Sequence, residues 1–186
     1  MIAFGYFSTE GLIGTEFATD SQTAYGTAAQ AGSSYCVLSK AEWQYLFANQ
    51  YWGFAQVSLT NGGTVNGLVI CPNSITTEEE AKAVLGSSAI VYKSSAAQNG
   101  KTAAFRENMI DQATIDANGL LFLPAVGGRE GTSLTNAGSY GRYWSTTSSS
   151  AAAAYYVLFR SVLFNSAYGT GRYNGFSVRL ASVASE

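Results

Sequence analysis

A chain of 186 residues is long enough for one domain with a substantial core and too short for two comfortable ones. It is 47% hydrophobic and only 12% charged, about half the usual charged share, so solubility rests on Ser, Thr, Asn, Gly and Tyr. A formal charge of −2 with no basic stripe along the sequence gives no reason to expect nucleic acid, and the lack of histidine removes the commonest general base and transition-metal ligand.

The opening Met1–Gly11 has neither a charged leader segment nor a long apolar run, so it does not read as a secretory signal. Nothing approaches the ~18 consecutive apolar residues of a membrane span. Ile2–Phe7 reads as a first strand, followed by a Gly/Thr/Ser-rich loop through Ser34. Tyr35–Leu38 is a short strand running into Ser39-Lys40-Ala41-Glu42, a capping box that opens a helix. Trp43, Leu46 and Phe47 then form its apolar stripe.

Gly67–Cys71 reads as a buried strand ended by Pro72. Thr77-Glu78-Glu79-Glu80 begins a second helix with another capping box, and Gly86 ends it. Three successive glutamates suit a helix's first turn, where negative charge meets the positive end of the dipole, better than a metal cluster. A third helical pattern spans about Ala104–Ala117, and Leu120–Leu123 is a strand ended by Pro124. The loop Gly127–Gly131 is glycine-rich but lacks the Lys-Ser/Thr of a phosphate cradle. Tyr143–Thr146, Tyr155–Phe159 and Phe176–Ala181 are strand-like. The expected class is α+β, one domain over residues 1–186, with a mixed β-sheet core and two or three helices. Cys36 and Cys71 lie in apolar strand-like runs and read as buried free thiols, or as a single disulfide if their strands are neighbours.

The tail has a restricted vocabulary. From Ser145 to Ser185 there is no Lys, Glu, Gln, Met or Trp, although all five occur earlier. What remains is rich in Ser, Ala, Tyr and Gly. Tyr supplies a rigid amphipathic ring and Ser and Gly supply adaptable small polar groups, the mixture that antibody paratopes favour. This composition points to a recognition surface.

Three stretches carry a resemblance: LSKAEWQYLF (Leu38–Phe47), GLLFLPAVGGREG (Gly119–Gly131), and the pair YWSTT (Tyr143–Thr147) and GFSVRLA (Gly175–Ala181) that brackets the tail. Together they resemble the C-type-lectin-fold domains of surface and phage proteins of gut bacteria, which are distantly similar to the formylglycine-generating-enzyme group. A subset of that family comprises the variable proteins of diversity-generating retroelements. In them a mutagenic reverse transcriptase randomises template adenines, mostly in AAC codons, near the C-terminus. Such changes cannot yield Lys, Glu, Gln, Met or Trp, the five types missing here. The resemblance therefore implies a C-type-lectin-like fold, a variable ligand-binding region over residues 142–174 and a scaffold strand over 175–181. It also implies display on a phage virion or a bacterial cell surface.

Strand alternation places Tyr155, Val157 and Phe159 on one face and Tyr156, Leu158 and Arg160 on the other. The family's Ala-Tyr-x-x-x-Phe frame assigns Tyr155 and Phe159 to the core and turns the second set outward. Arg179, within the scaffold strand, is expected to be a structural hydrogen-bonder. The exposed ligand-binding set expected on this basis is Arg142, Ser148, Ser149, Ser150, Tyr156, Leu158, Arg160, Phe164, Tyr168, Thr170, Tyr173 and Asn174. Tyr and Arg are the usual hot-spot types, each aromatic being worth ~1–3 kcal/mol on truncation. The competing reading makes Tyr156, Phe164 and Tyr168 ordinary sheet aromatics that fill a core.

Enzymatic activity is not expected. Formylglycine-generating enzymes depend on cysteines in the C-terminal part of the fold, where this chain has none, and no Ser-His-Asp or Cys-His constellation can be built. Glu107 and Asp111, at i and i+4, read as a solvated helix face. The Glu-Pro-Asn or Gln-Pro-Asp loop and the Trp-Asn-Asp strand of calcium-dependent lectins are missing, so no metal or cofactor is expected. The partner would be a protein or glycan receptor on another cell, bound without nucleic acid or membrane insertion. A fixed cell-surface adhesin, a metal-independent glycan binder or a structural domain of the same fold is the alternative.

Overall fold

The computed structural model describes residues 35–100 and 104–182, so the expected strand Ile2–Phe7 and the loop to Ser34 lie outside the described residues. Strand β1 (Tyr35–Val37) leads into helix α1 (Lys40–Asn49) and the hairpin β2 (Trp52–Ser58) and β3 (Thr64–Ile70). Helix α2 (Glu78–Leu85) and the short β4 (Gln98–Asn99) follow, then β5 (Met109–Asp111), α3 (Gln112–Ala117) and β6 (Leu121–Pro124). The small hairpin β7 (Gly128–Glu130) and β8 (Ser133–Thr135) precedes three long tail strands, β9 (Gly141–Ser150), β10 (Ala153–Arg160) and β11 (Leu163–Gly171). The last described strand, β12 (Leu180–Ser182), pairs antiparallel with β1. The class is α+β. No helix among the described residues is long and apolar enough to cross a membrane.

Two four-stranded sheets carry the fold, one ordered β5-β2-β3-β6 and the other β4-β11-β10-β9. All their pairings are antiparallel except β2 with β5. Strands β2 and β3 are apolar on both faces and serve two cores. Trp52, Phe54, Leu68 and Ile70 meet α1 (Trp43, Leu46, Phe47) and the tail residues Tyr143, Val157, Phe159 and Phe164 in the main core. The alternate residues Ala55, Val57, Val69 and Cys71 meet Ala81 and Leu85 of α2 and Ile115 of α3 in a second core. A period of two on strands covered on both sides requires this division.

Both early helices start where their capping boxes predict. The Ser39 Oγ accepts from the Glu42 N–H at 3.2 Å, and the Glu42 carboxylate accepts from the Ser39 N–H at 2.7 Å. Thr77 and Glu80 repeat the exchange at α2. Glu80 also accepts from Thr76 and Glu78 pairs with Lys82 at 2.6 Å, so the glutamate run has structural work at the helix start. Gly86 ends α2 at φ 114°, a backbone conformation that a side chain would strain.

The third helical pattern is overturned in part. Ala104–Ala117 is not one helix but a 3₁₀ turn (Phe105–Glu107), strand β5 and the six-residue α3. Asn108 decides the break. Its carbonyl accepts from the Gln56 N–H at 2.8 Å and its side-chain amide donates to the Phe54 carbonyl at 3.2 Å, which draws the next three residues into the sheet. Asp111 then caps α3, its Oδ1 accepting from the Thr114 N–H at 2.6 Å. Glu107 and Asp111 therefore share no helix face. Cys71 is a buried free thiol at the end of β3, and burial pushes its pKa up to about 12. The disulfide alternative fails at this residue.

Candidate functional site

The tail sheet has an inner face against α1 and an outer face turned away from it. The N-terminus of α1 seats directly on β9, where Thr147 Oγ1 accepts from the Lys40 N–H at 3.0 Å and the Trp43 indole donates to the Trp144 carbonyl at 3.4 Å. The inner residues Tyr143, Val157, Phe159 and Phe164 are all buried. The outer face carries Trp144, Ala154, Tyr156 and Leu158, which form a third, smaller apolar cluster with Tyr140, Leu163 and Phe176 packed on it.

Alternation sorted the two faces of β10 correctly, but the outward set is largely covered. Tyr156 and Leu158 are only 5% and 6% exposed, which overturns their expected exposure. The cause is Phe176, whose ring lies 4.7 Å from both the Trp144 and the Tyr156 ring. Gly128 makes room for it, since a Cβ there would stand 2.8 Å from the Phe176 ring. Burial pushes the Tyr156 pKa up to about 12 against the opposing pull of Arg142.

Phe164 is a second correction. Its register partner is Phe159, so it faces α1, fully buried 4.7 Å from the Phe47 ring and 4.2 Å from the Trp52 ring. Arg142 is a third, held between Phe176 at 5.2 Å and Tyr140 at 5.0 Å, with Glu130 3.6 Å away and Thr135 accepting from it at 3.3 Å. The competing reading thus holds for Tyr156 and Phe164 and fails for Tyr168, which is 45% exposed. Tyr155, assigned inward by the family frame, is only half-buried, its ring capped by Lys40 at 4.3 Å.

The remaining expected residues, apart from Arg160 at the opposite end beside Leu163, come together at one end of the tail sheet. Ser148, Ser149, Ser150, Tyr168 and Tyr173 are exposed, Tyr173 most of all at 86%. Arg160, Thr170 and Asn174 are half-buried. Register aligns Ser148, Ala154 and Thr170 across three strands, and Trp144, Tyr156 and Tyr168 in the next outer row. Tyr168 meets Tyr156 edge-on at 5.7 Å, so this exposed ring stands on a buried aromatic base. The turn after β11 folds back over this end. There the Asn174 amide donates to Thr170 Oγ1 at 3.2 Å and to the Gly171 carbonyl at 3.0 Å.

Ser149 departs from the outer row. A Cβ at Gly169 would lie 3.5 Å from the Ser149 Oγ and 4.0 Å from the Tyr155 ring, so these three share the opposite face. Arg172, which sequence reasoning missed, belongs to the site. Its guanidinium donates to Ser148 Oγ and its backbone N–H to the Ala152 carbonyl at 3.0 Å, tying the β9–β10 turn to the turn after β11. The signal available was its place in Gly-Thr-Gly-Arg-Tyr-Asn-Gly, a long side chain and an aromatic among turn formers.

Among the described residues no three His, Cys, Asp or Glu side chains gather as a metal site would require. The arrangement offers hydroxyls, an amide, guanidinium groups and two exposed phenol rings on an ordered sheet, groups suited to contact. Comparison of the chain with protein-family models, with curated proteins and with solved structures finds no match.

Proposed function

We propose that the chain is a ligand-binding domain of C-type-lectin-like fold whose tail, residues 142–174, presents a recognition surface diversified by a retroelement. Its setting is a phage virion or a bacterial cell surface, and its partner is a protein or glycan receptor on another cell. One observation carries this reading. Ser148, Ser149, Ser150, Tyr168, Thr170, Tyr173 and Asn174 sit at one end of β9–β11 outside all three apolar clusters, while their strand neighbours are anchored in them. Apart from Tyr168, whose ring rests edge-on against buried Tyr156, such a surface can change residue by residue without touching the core. Because the sheet is ordered beforehand, binding costs little conformational entropy, and the tyrosines serve as rigid anchors.

Binding rather than catalysis also fits the buried Cys71, whose raised pKa keeps it a thiol and a poor nucleophile at neutral pH. A fixed adhesin is the second reading. It is favoured by the close packing of Tyr156, Leu158 and Phe164 within the same segment, as unvarying residues would pack. The test is a displayed library randomised at the seven positions only. Most members should resist protease as the parent does, and panning against unrelated proteins should yield binders. A library that is mostly cleaved, or that never yields a binder, would contradict the proposal.

A further inference from the structure

Charge is unevenly divided along this chain. Residues 131–182 hold four of its ten basic residues, all arginine, and none of its twelve acidic ones. This segment is therefore +4, while the rest of the chain, with six basic and twelve acidic residues, is −6. Folding concentrates the asymmetry. Arg142, Arg160 and Arg172 are far apart in sequence, yet all lie on or beside the outer face of the tail sheet.

At one end Arg142 and Arg160 flank the Tyr140 ring at 5.0 and 5.4 Å, and Arg160 donates to the Tyr140 hydroxyl at 3.0 Å. At the other end Arg172 donates to Ser148. Arg160 and the row of Ser148, which meets β10 at Ala154, are six residues apart, or roughly 20 Å along the strand. Only Arg142 has a carboxylate beside it, Glu130. Among the described residues no carboxylate pairs with Arg160 or Arg172, and the Nε of each is buried without a hydrogen-bond partner. Arginine forks match carboxylates in paired, planar hydrogen bonds, and two cations this far apart with tyrosines between them suit an extended epitope.

We infer that the partner of this surface is a protein whose epitope is acidic, with carboxylates placed to meet Arg160 and Arg172 on either side of an apolar contact with Tyr168. The inference rests on the recognition role proposed above and specifies its target chemistry. Opposite charge also speeds encounter, so association should slow as salt rises, the screening length being about 8 Å at physiological ionic strength.

The experiment pans a random-peptide library on the whole chain. Binding of the enriched peptides is then measured to the parent, to R160Q/R172Q and to Y168A/Y173A, each confirmed to be folded by its melting temperature. Enriched peptides should be rich in Asp and Glu and should bind R160Q/R172Q at least tenfold more weakly. Neutral or basic peptides that lose binding only to Y168A/Y173A would overturn the acidic partner while leaving the recognition face intact. Peptides indifferent to both variants would overturn the face itself. Displacement of every peptide by polygalacturonate, with no acidic peptide enriched, would replace the protein partner with an anionic glycan.

Discussion

Tyr156 and Tyr173 show what decides a residue's role in this tail. Both are tyrosines in the proposed variable segment, yet one is 5% and the other 86% exposed. Tyr156→Ala removes a ring in contact with Trp144, Tyr168 and Phe176 and should cost about 3 kcal/mol. Tyr173→Ala should stay within about 0.5 kcal/mol. Urea melts of the two variants check the contrast, and equal losses would refute this assignment of burial. The same burial sets an alkaline limit. Tyr156 and Cys71 are both raised to about 12 in the folded protein, so their neutral forms contribute stability that is complete below the unfolded values. That contribution should fade as pH climbs from about 9 towards 12. Melting temperature followed across that range should fall together with a late rise in tyrosinate absorbance. A melting temperature unchanged at pH 12 would contradict it.

At the scale of elements, helix starts were legible because capping is local chemistry: Ser39 with Glu42, and Thr77 with Glu80, each satisfy orphan N–H groups within four residues. Ser39 is 2% exposed and its box is buried, so Ser39→Ala should cost about 1–2 kcal/mol, more than Thr77→Ala at the exposed cap. Chemical denaturation of the pair measures the difference, and a larger loss at Thr77 would contradict it. The caps at Glu80 and Asp111 are held below the usual carboxylate range, mainly by backbone hydrogen bonds from Thr76 and Thr77 at Glu80 and by Thr114 at Asp111. Their contribution is present above the unfolded values and is lost as pH falls below about 4.

Strands were less legible. The run Trp52–Ser58 alternates two buried sets, so it shows no polar period, and Leu163–Gly171 hides among small residues. Ala104–Ala117 kept a helical period but was divided by hydrogen bonds from β2, fifty residues earlier in the chain. Alternation named both faces of β10 correctly. It could not tell that Phe176, twenty residues further on, covers one of them.

For the whole molecule, the restricted vocabulary and the topology point the same way. The tail contributes two kinds of residue. One kind is packed against α1 or under Phe176. The other is gathered at the end of β9–β11, where Tyr168 and Tyr173 stay exposed while Gly175 bridges to Arg129 and Ser177 to Tyr143. The grouping of Arg142, Arg160 and Arg172 was invisible as a pattern because arginines spaced by 18 and 12 residues form no stripe, although the positive excess of the tail can be counted in sequence. The fold brings them to one face.

The most direct measurement is the nucleotide sequence of this gene and its downstream flank. A near-duplicate of the tail-coding segment should lie beside a reverse transcriptase, differing only at adenines. Those differences should fall in codons such as those of Ser148, Tyr168, Thr170, Tyr173 and Asn174 and spare those of Phe159, Phe164 and Phe176. A flank without such a copy, or a copy that varies at the buried codons, would contradict it.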